Sequence, residues 1–105
     1  MKSLRKIRNE IVHGQFEFSR HAFRRAVERN ISDAEIREAA MNARLIEDYP
    51  DDKYTASCLL LGFSMAGRPL HIQVSRAETE MVKIITLYEP DPDEWRDGFS
   101  QRRSS

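Results

Sequence analysis

The sequence predicts an α+β domain, with N-terminal helices packed on one face of a three- to four-stranded antiparallel sheet. Three observations carry this. Apolar residues up to about residue 43 recur at helical spacing. From residue 45 onward they alternate or run together as strands do. Glycine- and proline-containing turns separate the later segments. At 105 residues the chain is expected to form one domain, residues 1–105, with its core over about 16–95 and residues 97–105 frayed.

Residues 3–12 place Leu4, Ile7 and Ile11 on one side of a short amphipathic helix, which Gly14 stops. Phe16 and Phe18 alternate with polar neighbours in a brief extended lead-in. Ser19 is a good N-cap for a second helix whose expected buried arc is Ala22, Phe23, Ala26 and Val27. Asn30 suits a left-handed helix terminus. Ser32-Asp33-Ala34-Glu35 reads as a capping box, with Ile31 and Ile36 at the hydrophobic-staple positions. The third helix continues through Ala39, Ala40 and Ala43. A DNA-reading helix–turn–helix would need base-contacting side chains there, where the chain is alanine-rich and acidic.

Leu45 to Tyr49 forms the next strand and Pro50 ends it. Ala56 to Ser64 is an apolar strand centred on Leu59, Leu60 and Leu61. Pro69 to Arg76 alternates, with Leu70, Ile72 and Val74 opposite His71, Gln73 and Ser75. Met81 to Tyr88 is the last strand, broken by Glu89-Pro90-Asp91-Pro92. Trp95 is expected to pack back on the sheet. If Arg76 faces Glu80, Lys83 lies beside His71 and Gln73. A one-residue slip brings Thr86 and Tyr88 there instead.

Lys and Arg balance Asp and Glu at 17 each, so a strong non-specific nucleic-acid binder is not expected. The charge is uneven: residues 1–29 carry +5, residues 30–55 carry −4 and the remainder −1. A basic face near the N-terminus therefore remains available. The N-terminus lacks the apolar stretch of a signal peptide, and no run is long enough to span a bilayer. A cytoplasmic location is the expectation. The lone Cys58 lies in an apolar run with no basic neighbour to activate it, and reads as a small packing residue. His13, His21 and His71 are too dispersed for a metal-ligand motif, and no phosphate-binding glycine loop is present. No metal or cofactor is expected.

The chemistry lies elsewhere. His21, Arg25 and Arg29 recur every four residues and form one helical stripe, while His71 stands on a strand. Imidazole with guanidinium meets the needs of metal-independent phosphodiester cleavage. It supplies a proton carrier near neutral pH and fixed positive charge for the phosphate. Taken singly, each of these residues is an ordinary surface or packing residue; the functional expectation rests on their convergence.

The motifs Ser19-x-His21-Ala22-x-x-Arg25-x-x-Glu28-Arg29-x-Ile31-Ser32, Gly67-Arg68-Pro69-Leu70-His71-Ile72 and Ile85-Thr86-Leu87-Tyr88-Glu89-Pro90-Asp91-x-x-x-Trp95 span roughly residues 16 to 95. Together they resemble a bacterial family of small uncharacterised domains grouped with the RelE/ParE-like toxins. That resemblance implies a toxin-like helix-and-sheet fold, an antitoxin partner and metal-independent cleavage of RNA by attack of a 2′-hydroxyl. On this reading His21, Arg25, His71 and Tyr88 are catalytic, and Arg29, Lys83 and Thr86 bind substrate. Zero net charge, and a C-terminus whose only basic residues are Arg102 and Arg103, depart from the pattern of such nucleases. The alternative is a non-catalytic protein-interaction module of the same fold. It is favoured if His21 and His71 lie on opposite faces.

Overall fold

A computed structural model describes residues 1–104. Helix α1 (Leu4–Val12) leads through β1 (Phe16–Phe18) into α2 (Arg20–Glu28) and α3 (Asp33–Met41). Strands β2 (Arg44–Tyr49), β3 (Ser57–Phe63), β4 (Pro69–Ser75) and β5 (Val82–Tyr88) follow. The short strands β6 (Trp95–Arg96) and β7 (Gln101–Arg102) close the chain.

Each helix starts where a serine satisfies its free amides. Ser3, Ser19 and Ser32 accept from the amides of Lys6, Ala22 and Glu35. The capping box at Ser32/Glu35 is complete, and Ile31 and Ile36 are both buried beside it. Asn30 takes the left-handed conformation, φ 54°, that joins α2 to α3.

The fold class is α+β, but the sheet is mixed and five-stranded, in the order β1-β5-β4-β3-β2. The expected three- to four-stranded antiparallel sheet is thus corrected. Phe16–Phe18 adds a fifth strand, and it runs parallel to β5. The other pairings are antiparallel. A parallel neighbour is possible because α2, α3 and three strands intervene before β5 returns.

The helices cover one face, where Ile7, Ile11, Ala22, Ile36 and Ala39 meet Leu60, Ile72, Val74, Ile84 and Leu87. Gly62 lets α3 approach β3. A Cβ there would collide with the Ala39 carbonyl, reaching within 2.7 Å of its carbon. The expected buried arc of α2 needs correction. Ala22 and Ala26 are buried, but Phe23 and Val27 are 60% and 65% exposed. The alanine pair seats α2 closely on β5 and rotates the larger side chains outward, Phe23 resting edge-on near Phe18.

The opposite face is also covered. Leu59, Leu61 and His71 are buried there, which explains why β3 reads as an unbroken apolar run. The cover is a C-terminal strap, residues 95–103. Trp95 and Arg96 pair with Arg102 and Gln101, and the Arg103 amide donates to the Glu94 carbonyl. The strap turns through left-handed Asp97, Gly98 and Phe99. Of the residues expected to fray, 97–100 form the turn of this strap and Gln101–Arg102 its return strand, and Ser105 lies outside the described residues. Among the described residues no helix is long and apolar enough to cross a membrane.

Candidate functional site

The strap converges on His71, which is fully buried on β4. Its Nε2 lies 2.8 Å from the Phe99 carbonyl oxygen and its Nδ1 lies 3.2 Å from the Tyr88 hydroxyl. A carbonyl only accepts, so Nε2 carries the proton and Nδ1 is the free base. Tyr88 therefore donates its hydroxyl proton to Nδ1. Trp95 stands edge-on against the imidazole, with ring centroids 4.3 Å apart. Burial is the main influence on His71 and lowers its pKa, so the ring is neutral at pH 7; the Phe99 carbonyl and Glu47 pull the other way.

Register explains why Tyr88 is the partner. His71 pairs with Tyr88 and Gln73 with Thr86, but Val74 pairs with Ile84. The extra residue, Ile85, bulges toward α2 and its carbonyl accepts the Ser19 hydroxyl. Thr86 and Tyr88 thus stand beside the His71 row, at an offset three residues from the register in which Arg76 faces Glu80. Lys83 instead pairs with Glu17 at the other end of β5 and is exposed. Of the two registers the sequence leaves open, the one that puts Lys83 beside His71 is not adopted, because β4 and β5 are offset from it by two residues at Val74 and by three beyond the bulge.

Arg29 reaches the same spot from the helix layer. Its Nη1 lies 3.3 Å from the Leu87 carbonyl, and its guanidinium carbon lies 5.9 Å from the centre of the Tyr88 ring. Beyond Ile84 the edge of β5 has no strand neighbour, since β1 ends at Phe18. That open edge lets a helix side chain touch a residue of the opposite sheet face. Tyr88 is half-buried, and burial raises its pKa.

His21 does not join this group. It stands two turns from Arg29, about 12 Å along the axis, and is exposed. Its neighbour is Arg25, whose Nε is 3.5 Å from the imidazole and whose Nη1 pairs with Glu28 at 2.9 Å. His21 belongs to the helix layer and His71 to the far face of the sheet. The expected acid–base pair of two histidines is therefore absent. A helical stripe keeps its members aligned but eight residues apart in sequence they cannot share one small ligand.

Two further arginines matter that the motifs did not single out as site residues. Arg68 donates to the Arg29 and Asn30 carbonyls at 2.9 and 3.0 Å. It also pairs with Glu35 at 3.1 Å and Glu89 at 2.7 Å. It thus ties the end of α2 and the start of α3 to the residue after Tyr88. Its signals in the sequence were its place in the second motif and in a turn after Gly67. Arg102 grips Glu47 through two nitrogens, at 2.9 and 3.1 Å, and lies 4.7 Å from the Trp95 ring centre. Tyr49 donates to the same carboxylate. These contacts lower the Glu47 pKa against the effect of its burial. Nothing in the spacing of Glu47 and Arg102 announces the pair.

Cys58 is buried and burial pushes its thiol up to about 11, which suits a packing role. Among the described residues no group of three His, Cys, Asp or Glu is arranged to hold a metal ion. Residues 18–89 match the model of a domain of unknown function, DUF4258. The chain belongs to this family. No curated protein and no solved structure matches it. The matched DUF4258 region holds His71, Tyr88, Arg29 and Arg68, whereas the strap residues Trp95, Phe99 and Arg102 lie beyond it.

Proposed function

We propose that this DUF4258 chain is the toxin of a toxin–antitoxin pair and a metal-independent ribonuclease whose centre is Tyr88. The observation that carries the proposal is the series Tyr88 hydroxyl, His71 Nδ1, His71 Nε2–H, Phe99 carbonyl, with Arg29 beside the tyrosine. It follows the logic of an activated hydroxyl, in which a base is held in one tautomer by a third group. The resemblance to RelE/ParE-like toxins points the same way.

In the proposed reaction the Tyr88 oxygen accepts the proton of the RNA 2′-hydroxyl while passing its own proton to His71. The 2′-oxygen attacks the adjacent phosphorus, the bond to the 5′-oxygen breaks, and that oxygen takes up a proton from water. The products are a 2′,3′-cyclic phosphate and a 5′-hydroxyl. The imidazolium returns its proton to solvent through Tyr88. Arg29 offsets the charge gathering on the phosphate oxygens. His71, enclosed by Trp95 and Phe99, is a positioning residue that acts through Tyr88. Arg25 stands one turn further along α2, where it suits the next phosphate of the strand. Thr86 flanks Tyr88 on β5.

Expression in a bacterial host tests this, with growth and RNA integrity followed together. The wild type is expected to arrest growth and cut RNA; Tyr88→Phe and Arg29→Ala are each expected to relieve both effects. A non-catalytic interaction module is the second reading, and the separation of His21 from His71 favours it. It predicts intact RNA in every strain.

A further inference from the structure

A cavity of about 520 Å³ lies beside the strap, between the end of β2 and the middle of β4. Its lining includes Tyr49, Pro50, Asp52, Gln73 and Arg102. Two of these, Tyr49 and Arg102, carry planar groups of the kind on which nucleobases stack. The polar groups form a defined set. Asp52 Oδ2 accepts from the Ser57 hydroxyl at 2.7 Å and from Gln73 Nε2 at 3.5 Å. Gln73 Nε2 also donates to Ser57 Oγ at 3.1 Å. The hydroxyl proton and the amide nitrogen are thereby committed inside the network. Asp52 Oδ1 accepts the Lys53 amide at 2.9 Å, so what remains for a ligand is acceptor capacity on two oxygens: the second lone pair of Asp52 Oδ1 and the Gln73 Oε1.

The cavity stands close to the proposed centre. Gln73 follows His71 by two residues on β4 and pairs with Thr86, two residues before Tyr88. Strand spacing and rise place the Gln73 and Tyr88 backbones about 8 Å apart. A nucleotide can bridge such a gap, with its phosphate toward Arg29 and its base in the cavity. The base that offers two adjacent donors to this pair of acceptor oxygens is guanine, through N1–H and the N2 amine.

We infer that this cavity is a guanine subsite, read by Asp52 and Gln73 and walled by Tyr49 and Arg102. The inference rests on the ribonuclease reading for its placement, and its test is independent of cleavage. Guanosine, inosine and adenosine 3′-monophosphates are titrated into the full-length protein, followed by NMR chemical shifts. Guanosine 3′-monophosphate is expected to bind about tenfold or more tighter than the other two, since inosine lacks the N2 amine and adenosine lacks N1–H. Asp52→Asn keeps the shape and removes the preference, while Tyr88→Phe retains it. Equal binding of all three nucleotides by the wild type overturns the subsite, even if the protein cuts RNA. A preference that survives in Asp52→Asn overturns the residue assignment. A guanosine preference in a wild type that leaves RNA intact supports the subsite and sinks the ribonuclease reading.

Discussion

With Nε2–H committed to Phe99, His71 can act on Tyr88 only through Nδ1. Removing the tyrosine hydroxyl breaks that link and leaves Nδ1 unpaired, at a stability cost of about 1–3 kcal/mol. Tyr88→Phe should therefore stay folded while losing about 10²–10⁴-fold in RNA cleavage rate, measured on a defined oligoribonucleotide. The same ring has a pH signature. Burial lowers the folded-state pKa of His71 below its ordinary 6.5. As pH falls through 6.5 the unfolded chain takes up a proton that the folded chain does not, so acid favours unfolding. Stability is expected to decline from pH 6.5 downward and to stop declining, for this group, below the folded-state value. Glu47 holds its proton only at still lower pH, so its contribution is lost in a separate window below 4.5. Urea melts across this range should show the upper decline in the wild type and lose it in His71→Gln. His71 was visible in the sequence as an alternating polar residue, but its partners were not. Phe99 contributes a backbone carbonyl, which no side-chain pattern encodes.

Among the elements, the helices were legible because their signals are local. The serine caps, the Ser32/Glu35 box and Asn30 all act within a few residues. The sheet was legible as strands but not as an order. Three residues of β1 carry too little pattern to announce a parallel pairing with a strand more than sixty residues away. The bulge at Ile85 was equally hidden, since it depends on Ser19 reaching across from α2. Two predictions belong at this scale. Gly62→Ala forces α3 off β3 at the Ala39 carbonyl, and should lower stability by about 1–3 kcal/mol in chemical denaturation. Arg68→Lys should fail to replace Arg68. One ammonium cannot serve two carbonyls and two carboxylates arranged around a planar fork. The expected outcome is a cleavage rate reduced as in Arg68→Ala, with Arg29 and Tyr88 both present but no longer held together.

For the whole molecule, the strap turns a two-layer α+β domain into one whose sheet is covered on both faces. Its pairing is not legible in the sequence because it is polar and short, and its left-handed turn includes non-glycine Asp97 and Phe99. Its hold is tertiary, through Trp95 on His71 and Arg102 on Glu47. A chain ending at Glu94 should lower the thermal midpoint and abolish cleavage, because His71 then faces water without its Phe99 partner. The neutral net charge also acquires a meaning at this scale. Where α2 meets the open edge of β5, Arg25 and Arg68 are balanced by Glu28, Glu35 and Glu89, while Asp51 and Asp52 line the cavity. The measurement that tests the account most directly is cleavage of purified RNA by the wild type and by Tyr88→Phe in the presence of a metal chelator, with the product ends identified. The account predicts 2′,3′-cyclic phosphate ends from the wild type and a rate at least about a hundredfold lower from Tyr88→Phe. Intact RNA from the folded wild type, or equal cleavage by the two proteins, would contradict it.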